Sequence, residues 1–88
     1  MSKYYLYGSD GCHLCEQALA ICLAALPREL LVEIDIIEQE KVAHEEQTLV
    51  ELYGVHIPVL EKLDDDSNKS TKLFWPFNHE QVEQLIDL

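Results

Sequence analysis

Residues 4–15 read Tyr4-Tyr5-Leu6-Tyr7-Gly8-Ser9-Asp10-Gly11-Cys12-His13-Leu14-Cys15. The β-favouring run at residues 4–7 is broken by Gly8, Ser9, Asp10 and Gly11, and the longest helical pattern of the chain begins immediately afterwards. That pattern runs from Cys12 or His13 to Leu26, carries Leu14, Ala18, Ala25 and, beside them, Cys15, Leu19, Cys22 and Leu26, and stops at Pro27. A strand that passes through a short turn into a helix is the opening unit of an α/β protein. Here it also places two thiols, with two residues between them, at the junction.

Working outward, the helix is apolar nearly all round from Ala18 to Leu26, which predicts burial against a sheet on one side and a second helix on another. Residues 30–37 are rich in branched side chains and include the alternation Val32, Ile34 and Ile36 against Glu33 and Asp35, so they predict a second strand. Residues 38–53 read as a second helix, with acidic residues at its start, Val42, Leu49, Leu52 and Tyr53 on one stripe, and Gly54 as the cap. Its other face, including Glu40, His44 and Glu51, is expected to meet water. Residues 55–61 form a third predicted strand containing Pro58, the acidic turn at residues 64–68 follows, and residues 70–74 return as an antiparallel fourth strand. Asn78 and Gln81 have capping-box spacing, Phe77 is placed for a hydrophobic staple with Val82, and Val82, Leu85 and Ile86 form the last apolar stripe. The predicted order is β-α-β-α-β-β-α, one domain over residues 1–88 with helices against a four-stranded mixed sheet.

The chain of 88 residues carries 17 acidic and 6 basic side chains, a formal charge of −11. Such a surface repels phosphate backbones and anionic lipids, so neither nucleic acid nor a membrane is an expected partner. It repels small anions as well, glutathione among them. The N-terminal residues Met1-Ser2-Lys3 lead into strand-like sequence without the apolar stretch of a secretory signal, which gives a cytoplasmic expectation. In a reducing compartment a cysteine pair is more often catalytic or metal-binding than a permanent crosslink.

Residues three apart on a helix share a face at a spacing that a disulfide tolerates. Cys12 would stand at or before the first turn, where amide hydrogens without helical partners, at the positive end of the helix dipole, stabilise a thiolate. Cys12 is the predicted nucleophile and Cys15 the predicted resolving thiol. A zinc or iron–sulfur centre needs about four ligands, and this motif supplies two, with Cys22 and His13 as the nearest recruits. A cluster shared between two chains stays open. Cys22, about two turns beyond Cys15, reads as a small buried hydrophobe. His13 either faces solvent inertly or tunes the thiol, and Tyr4, Tyr5 and Tyr7 read as sheet residues on alternating faces.

Taken together, Leu6-Tyr7-Gly8 ahead of Cys12-His13-Leu14-Cys15, the segment Val55-His56-Ile57-Pro58-Val59-Leu60, and Leu73-Phe74-Trp75-Pro76-Phe77 resemble the thioredoxin-like superfamily. Within it the chain is similar to short, mostly bacterial glutaredoxin-like proteins, over essentially its full length. The resemblance implies thiol–disulfide exchange, with Cys12 attacking and Cys15 resolving, and a cis Pro58 packed beside the pair. It implies that Pro58 shapes a substrate groove, expected to include His13, Leu14 and Ile57, and glutathione or thioredoxin as electron donor; Trp75 and Phe77 read either as an apolar patch of that groove for a protein partner or as staple and core packing, and neither a bound cofactor nor a metal is expected. The expected partner is a thiol- or disulfide-containing protein or a small thiol, met by a monomer. Departures are also present: His13-Leu14 replaces the Pro-Tyr common between the cysteines, Asp10-Gly11 replaces a preceding basic residue, and Trp75-Pro76 stands where glutaredoxins have a double glycine. Each of these weakens a glutathione site. The alternative is a non-catalytic thioredoxin-like module that binds a protein or metal-cluster partner.

Overall fold

A computed structural model describes residues 2–88, and in it one mixed sheet organises the chain. In chain order the elements are β1 (Ser2–Gly8), α1 (His13–Ala25), β2 (Leu31–Asp35), α2 (Leu49–Tyr53), β3 (Val59–Asp64), β4 (Ser70–Phe74) and α3 (His79–Ile86). The strands lie in the order β2-β1-β3-β4. β1 runs parallel to β2, with Gly8 opposite Asp35, and antiparallel to β3, with Tyr7 opposite Val59. β3 and β4 close the sheet as an antiparallel pair. This is the thioredoxin-like architecture, in the predicted order.

The period-two alternation of β1 divides the core. Tyr4 and Leu6, with Leu60 of β3, pack under Ala18, Cys22 and Leu26 of the first helical segment and Val82 and Leu85 of α3. Tyr7, with Val59, meets Ile34, Ile36, Val42, Leu49 and Tyr53 on the opposite face. The near-uniform apolarity of α1 follows from this arrangement, since the helix is covered by both the sheet and α3. Phe77 and Val82 share that core, and Asn78 and Gln81 cap α3 reciprocally at 2.9 Å in each direction, as their spacing predicts.

The second helix is much shorter than expected. It begins at Leu49, where Thr48 and Glu51 form a capping box, and residues 38–47 are not helical. Asp35 Oδ1 accepts the amides of Ile37 and Glu38 at 2.8 and 3.3 Å, and Gln39 N–H reaches the Asp35 carbonyl, which makes a single turn that is not continued. Between Ile37 and Gln47 the only buried apolar side chain is Val42, too little to hold a helix on the sheet. His44 and Glu45 turn inward instead, toward polar groups of β3 and β4. His44, expected in water, is therefore mostly covered.

Two strand boundaries also shift. β2 is shorter than residues 30–37, because Leu30 N–H closes a 3₁₀ turn on Pro27 and the Asp35 turn ends the ladder. β3 starts at Val59, four residues later than expected, since Pro58 has no N–H to donate and the amides of His56 and Ile57 bond back to the Tyr53 carbonyl.

Candidate active site

Cys12 is the N-cap of α1. Its backbone is extended (φ −89°, ψ 106°), its carbonyl accepts the Glu16 amide at 3.2 Å, and its Sγ accepts the Cys15 amide at 3.1 Å. A sulfur in the place where serine or aspartate ordinarily caps a helix takes up one of the unpaired first-turn amides. The same amide and the helix dipole favour negative charge on that atom once it is reduced.

Cys12 and Cys15 are joined as a disulfide, with Cα atoms 5.2 Å apart. The pair is a redox-competent dithiol–disulfide couple. The two residues differ in surroundings. Cys12 stands at the mouth of the loop, whereas Cys15 is seated against Gly8 at the end of β1, so closely that a Cβ on residue 8 would lie 2.9 Å from its Sγ. Gly11, at φ +75°, supplies the left-handed backbone that turns the loop into the helix.

Both sulfur-bearing residues line a cleft of about 530 Å³. Its walls are residues 8–12, Glu16 and Leu19 of α1, residues 33–35 of β2, and Glu38. The parallel pairing of Gly8 with Asp35 brings the end of β2 to this place. Sequence reading missed Gly8 as the seat of Cys15 and missed the β2 wall. The legible signal was that the two predicted strands join by a single helix and so end on the same side of the sheet.

The other predicted site residues separate into groups. His13 and Leu14 are exposed in the first turn beside the pair, His13 Nδ1 lying 3.4 Å from Glu16. The Ile57-Pro58 bond is cis, and one further step along the β1–β3 register sets Pro58 opposite Gly8. The Trp75 amide donates to the Pro58 carbonyl at 3.2 Å, and the Trp75-Pro76 bond is cis as well. Two of the predicted groove residues are covered: Pro58 is fully buried, and Phe77 is buried in the core, edge-on to Trp75 at 5.2 Å between ring centroids, so neither offers side-chain surface to a groove. None of Ile57, Pro58, Trp75 and Phe77 lines the large cleft, which opens on the β2 side of the disulfide. Cys22 is fully buried in the core, where desolvation pushes its thiol up to about 12.

A second polar group lies across the sheet. Glu61 of β3 is 0% exposed, and it accepts from Tyr7 Oη at 2.6 Å, from His44 Nε2 at 2.9 Å and from Ser70 Oγ. Burial alone would raise the Glu61 carboxyl, but the bonds from Ser70, Tyr7 and His44 outweigh it and hold the group below the usual carboxylate range. Because the carboxylate is ionised, His44 Nε2 must be the donor. Burial, reinforced by the bond to Glu61, raises the Tyr7 phenol far above its ordinary value.

Residues 3–87 match the family described as Glutaredoxin-like domain (DUF836). No curated protein matches the chain.

Proposed function

The chain belongs to the glutaredoxin-like domain family, and on that footing we propose that it reduces a disulfide on a protein or a small thiol compound through attack by Cys12 and resolution by Cys15. The observation that carries this reading is the hydrogen bond from the Cys15 amide to Cys12 Sγ, since it singles out one sulfur of the pair for stabilisation as an anion.

In the reduced protein the Cys12 thiolate attacks one sulfur of the partner disulfide. The partner's S–S bond breaks, its leaving sulfur departs as a thiolate that takes a proton from water, and a mixed disulfide on Cys12 remains. The Cys15 thiol then loses its proton and attacks Cys12 Sγ, expelling the second partner sulfur as a thiolate that takes up the proton Cys15 gave up. The partner has gained two electrons and two protons, and the Cys12–Cys15 disulfide has formed. Its 5.2 Å Cα separation lies within the range that a disulfide tolerates, which supports closure of the pair at this spacing. The exposed His13 and Leu14, together with the half-buried Ile57 and Trp75, would flank an incoming chain. Reduction of the disulfide by glutathione or thioredoxin in the cytoplasm completes the cycle.

Redox titration followed by acid quench, alkylation and mass analysis tests the proposal. The wild type should lose and regain two hydrogens reversibly, and Cys15→Ser should accumulate a mixed disulfide on Cys12 with whichever partner disulfide is supplied. Failure of the pair to cycle, or accumulation of the adduct on residue 15 in Cys12→Ser but not on residue 12 in Cys15→Ser, overturns the assignment.

A further inference from the structure

The cleft that holds the two sulfurs has a charge of its own. Asp10, Glu16, Glu33, Asp35 and Glu38 line it, and no lysine or arginine does. Glu33 meets Arg28 at 3.5 Å and Glu16 meets His13 at 3.4 Å, both as exposed pairs. Among the described residues, Asp10, Asp35 and Glu38 have no cationic partner. Asp35 is fixed in the wall by its bonds to the amides of Ile37 and Glu38. The uncompensated charges thus come from three separate pieces of chain: the loop before Cys12, the end of β2 and the turn that follows it. Cys12 and Cys15 both line this cleft, so under the dithiol reading a partner sulfur reacts at its edge.

We propose that this cleft makes the exchange selective for cationic partners: disulfides and thiols whose atoms near the reacting sulfur carry positive charge, as an amine-bearing small thiol or a cysteine flanked by lysine and arginine does. The inference rests on the dithiol reading above and adds to it the substrate class, with Asp10 and Glu38 as the specificity-determining residues. A carboxylate wall attracts a cationic disulfide to the sulfurs and repels an anionic one, and both effects weaken with salt. A tripeptide thiol with net negative charge meets the repulsive case. The charge also acts most strongly during approach, when opposite signs raise the encounter rate.

The test measures single-turnover oxidation of the reduced protein by three small disulfides: cystamine, a dication; hydroxyethyl disulfide, neutral; and dithiodipropionate, a dianion. A fourth arm uses a disulfide-linked peptide with lysines beside its cysteine, which separates a protein source of the charge from a small-molecule one. Each rate is divided by the rate of the same disulfide with dithiothreitol, so that intrinsic reactivity cancels. The expected order is cation, neutral, anion, with at least a tenfold spread between the ends at low salt. Asp10→Asn and Glu38→Gln should each lower the cation-to-neutral ratio about threefold, the size of one charge pair several ångströms apart at high dielectric, and the double substitution about tenfold. The wild-type spread should also shrink between 20 mM and 500 mM salt. Normalised rates that do not depend on charge or salt overturn the selectivity while leaving the exchange chemistry standing. Absence of exchange with all four disulfides overturns the dithiol reading and this inference with it.

Discussion

Gly8 and Cys15 meet without room for another atom: a Cβ on residue 8 would stand 2.9 Å from Cys15 Sγ and 3.2 Å from Cys15 Cβ. The glycine ends β1 and the cysteine opens α1, so this contact fixes how closely the resolving sulfur can approach the sheet. The disulfide leaves Cys15 little freedom to move away.

Gly8→Ala should therefore disfavour the oxidised state more than the reduced one, in which the Cys15 side chain can turn. Overpacking of this kind costs about 1–3 kcal/mol. If most of that cost falls on the disulfide form, the reduction potential rises by about 20–60 mV, at roughly 30 mV per 1.4 kcal/mol. Equilibration with a dithiothreitol series, read by mass after alkylation, measures the shift. A potential unchanged or lowered would show that α1 yields to the added methyl at no expense to the disulfide.

The buried carboxylate of Glu61 sets up a comparison between two tyrosines. Tyr7 Oη donates to Glu61, whereas the buried Tyr53 hydroxyl, its ring stacked against Tyr7 at 4.4 Å between centroids, makes no hydrogen bond of ordinary geometry among the described residues and interacts only with the Lys72 ammonium, which sits 5.1 Å from the ring centroid. Tyr7→Phe should cost about 1.5–3 kcal/mol, as expected for a bond to a charged acceptor. Tyr53→Phe should cost less, under about 1 kcal/mol, because it removes a desolvated hydroxyl held only by its interaction with Lys72. Urea unfolding of the two variants decides between this picture and one in which Tyr53 carries the bond.

The same carboxylate gives a pH dependence. The folded-state pKa of Glu61 lies below its unfolded value, so its contribution to stability is present above the unfolded pKa and is lost as pH falls through the folded one. Stability should decline below about pH 4.5, the ordinary range of a glutamate, and Glu61→Gln should flatten that decline while lowering stability at pH 7. Unfolding midpoints between pH 3 and pH 7 measure both. An acid limb of equal steepness in the variant would assign the loss to other carboxylates.

The local features were legible because each is decided within a few residues. The strand-turn-helix opening, the stop at Pro27 and the Asn78/Gln81 box all lie in short windows. The misread second helix shows the boundary of that kind of inference. Its decisive signal, Thr48 followed three residues later by Glu51, lies in the sequence inside the stretch read as one helix over residues 38–53. Those residues are held by His44 with Glu61 and Glu45 with Lys72, contacts 17 and 27 residues apart that no local window contains. For the same reason the cysteine pair could be read while the cleft around it could not, since the pairing of Gly8 with Asp35 builds the far wall.

Lys62 is a further long-range device. Its side chain crosses from β3 to the end of α3, where Nζ donates to the carbonyls of Leu85, Ile86 and Leu88 at 3.0, 2.9 and 2.8 Å. α3 has no basic residue in its own last turn, so this ammonium is what meets the last carbonyls and the negative end of the dipole. Lys62→Met keeps the apolar stem and removes the donors, and should destabilise the fold by about 1–3 kcal/mol. Hydrogen exchange should show the loss concentrated in the amides of α3. Uniform loss across the sheet would mean that Lys62 acts through packing.

Cys22 provides the internal control for the reactivity of the pair. Desolvation pushes its thiol up to about 12, and the residue is sealed beneath the sheet, α1 and α3. At pH 8 iodoacetamide should label Cys12 first and Cys15 more slowly in the reduced native protein, and should reach Cys22 only after unfolding, so the native chain gains two adducts and the unfolded chain three. Because the folded pKa is raised, the contribution of this thiol to stability is present below its unfolded pKa and is lost as pH rises from there toward 12. Cys22→Ala should remove that alkaline loss while leaving a small cavity. Labelling of Cys22 in the native state at a rate comparable to Cys12 would place the thiol at the surface and undo the packing of α1 described above.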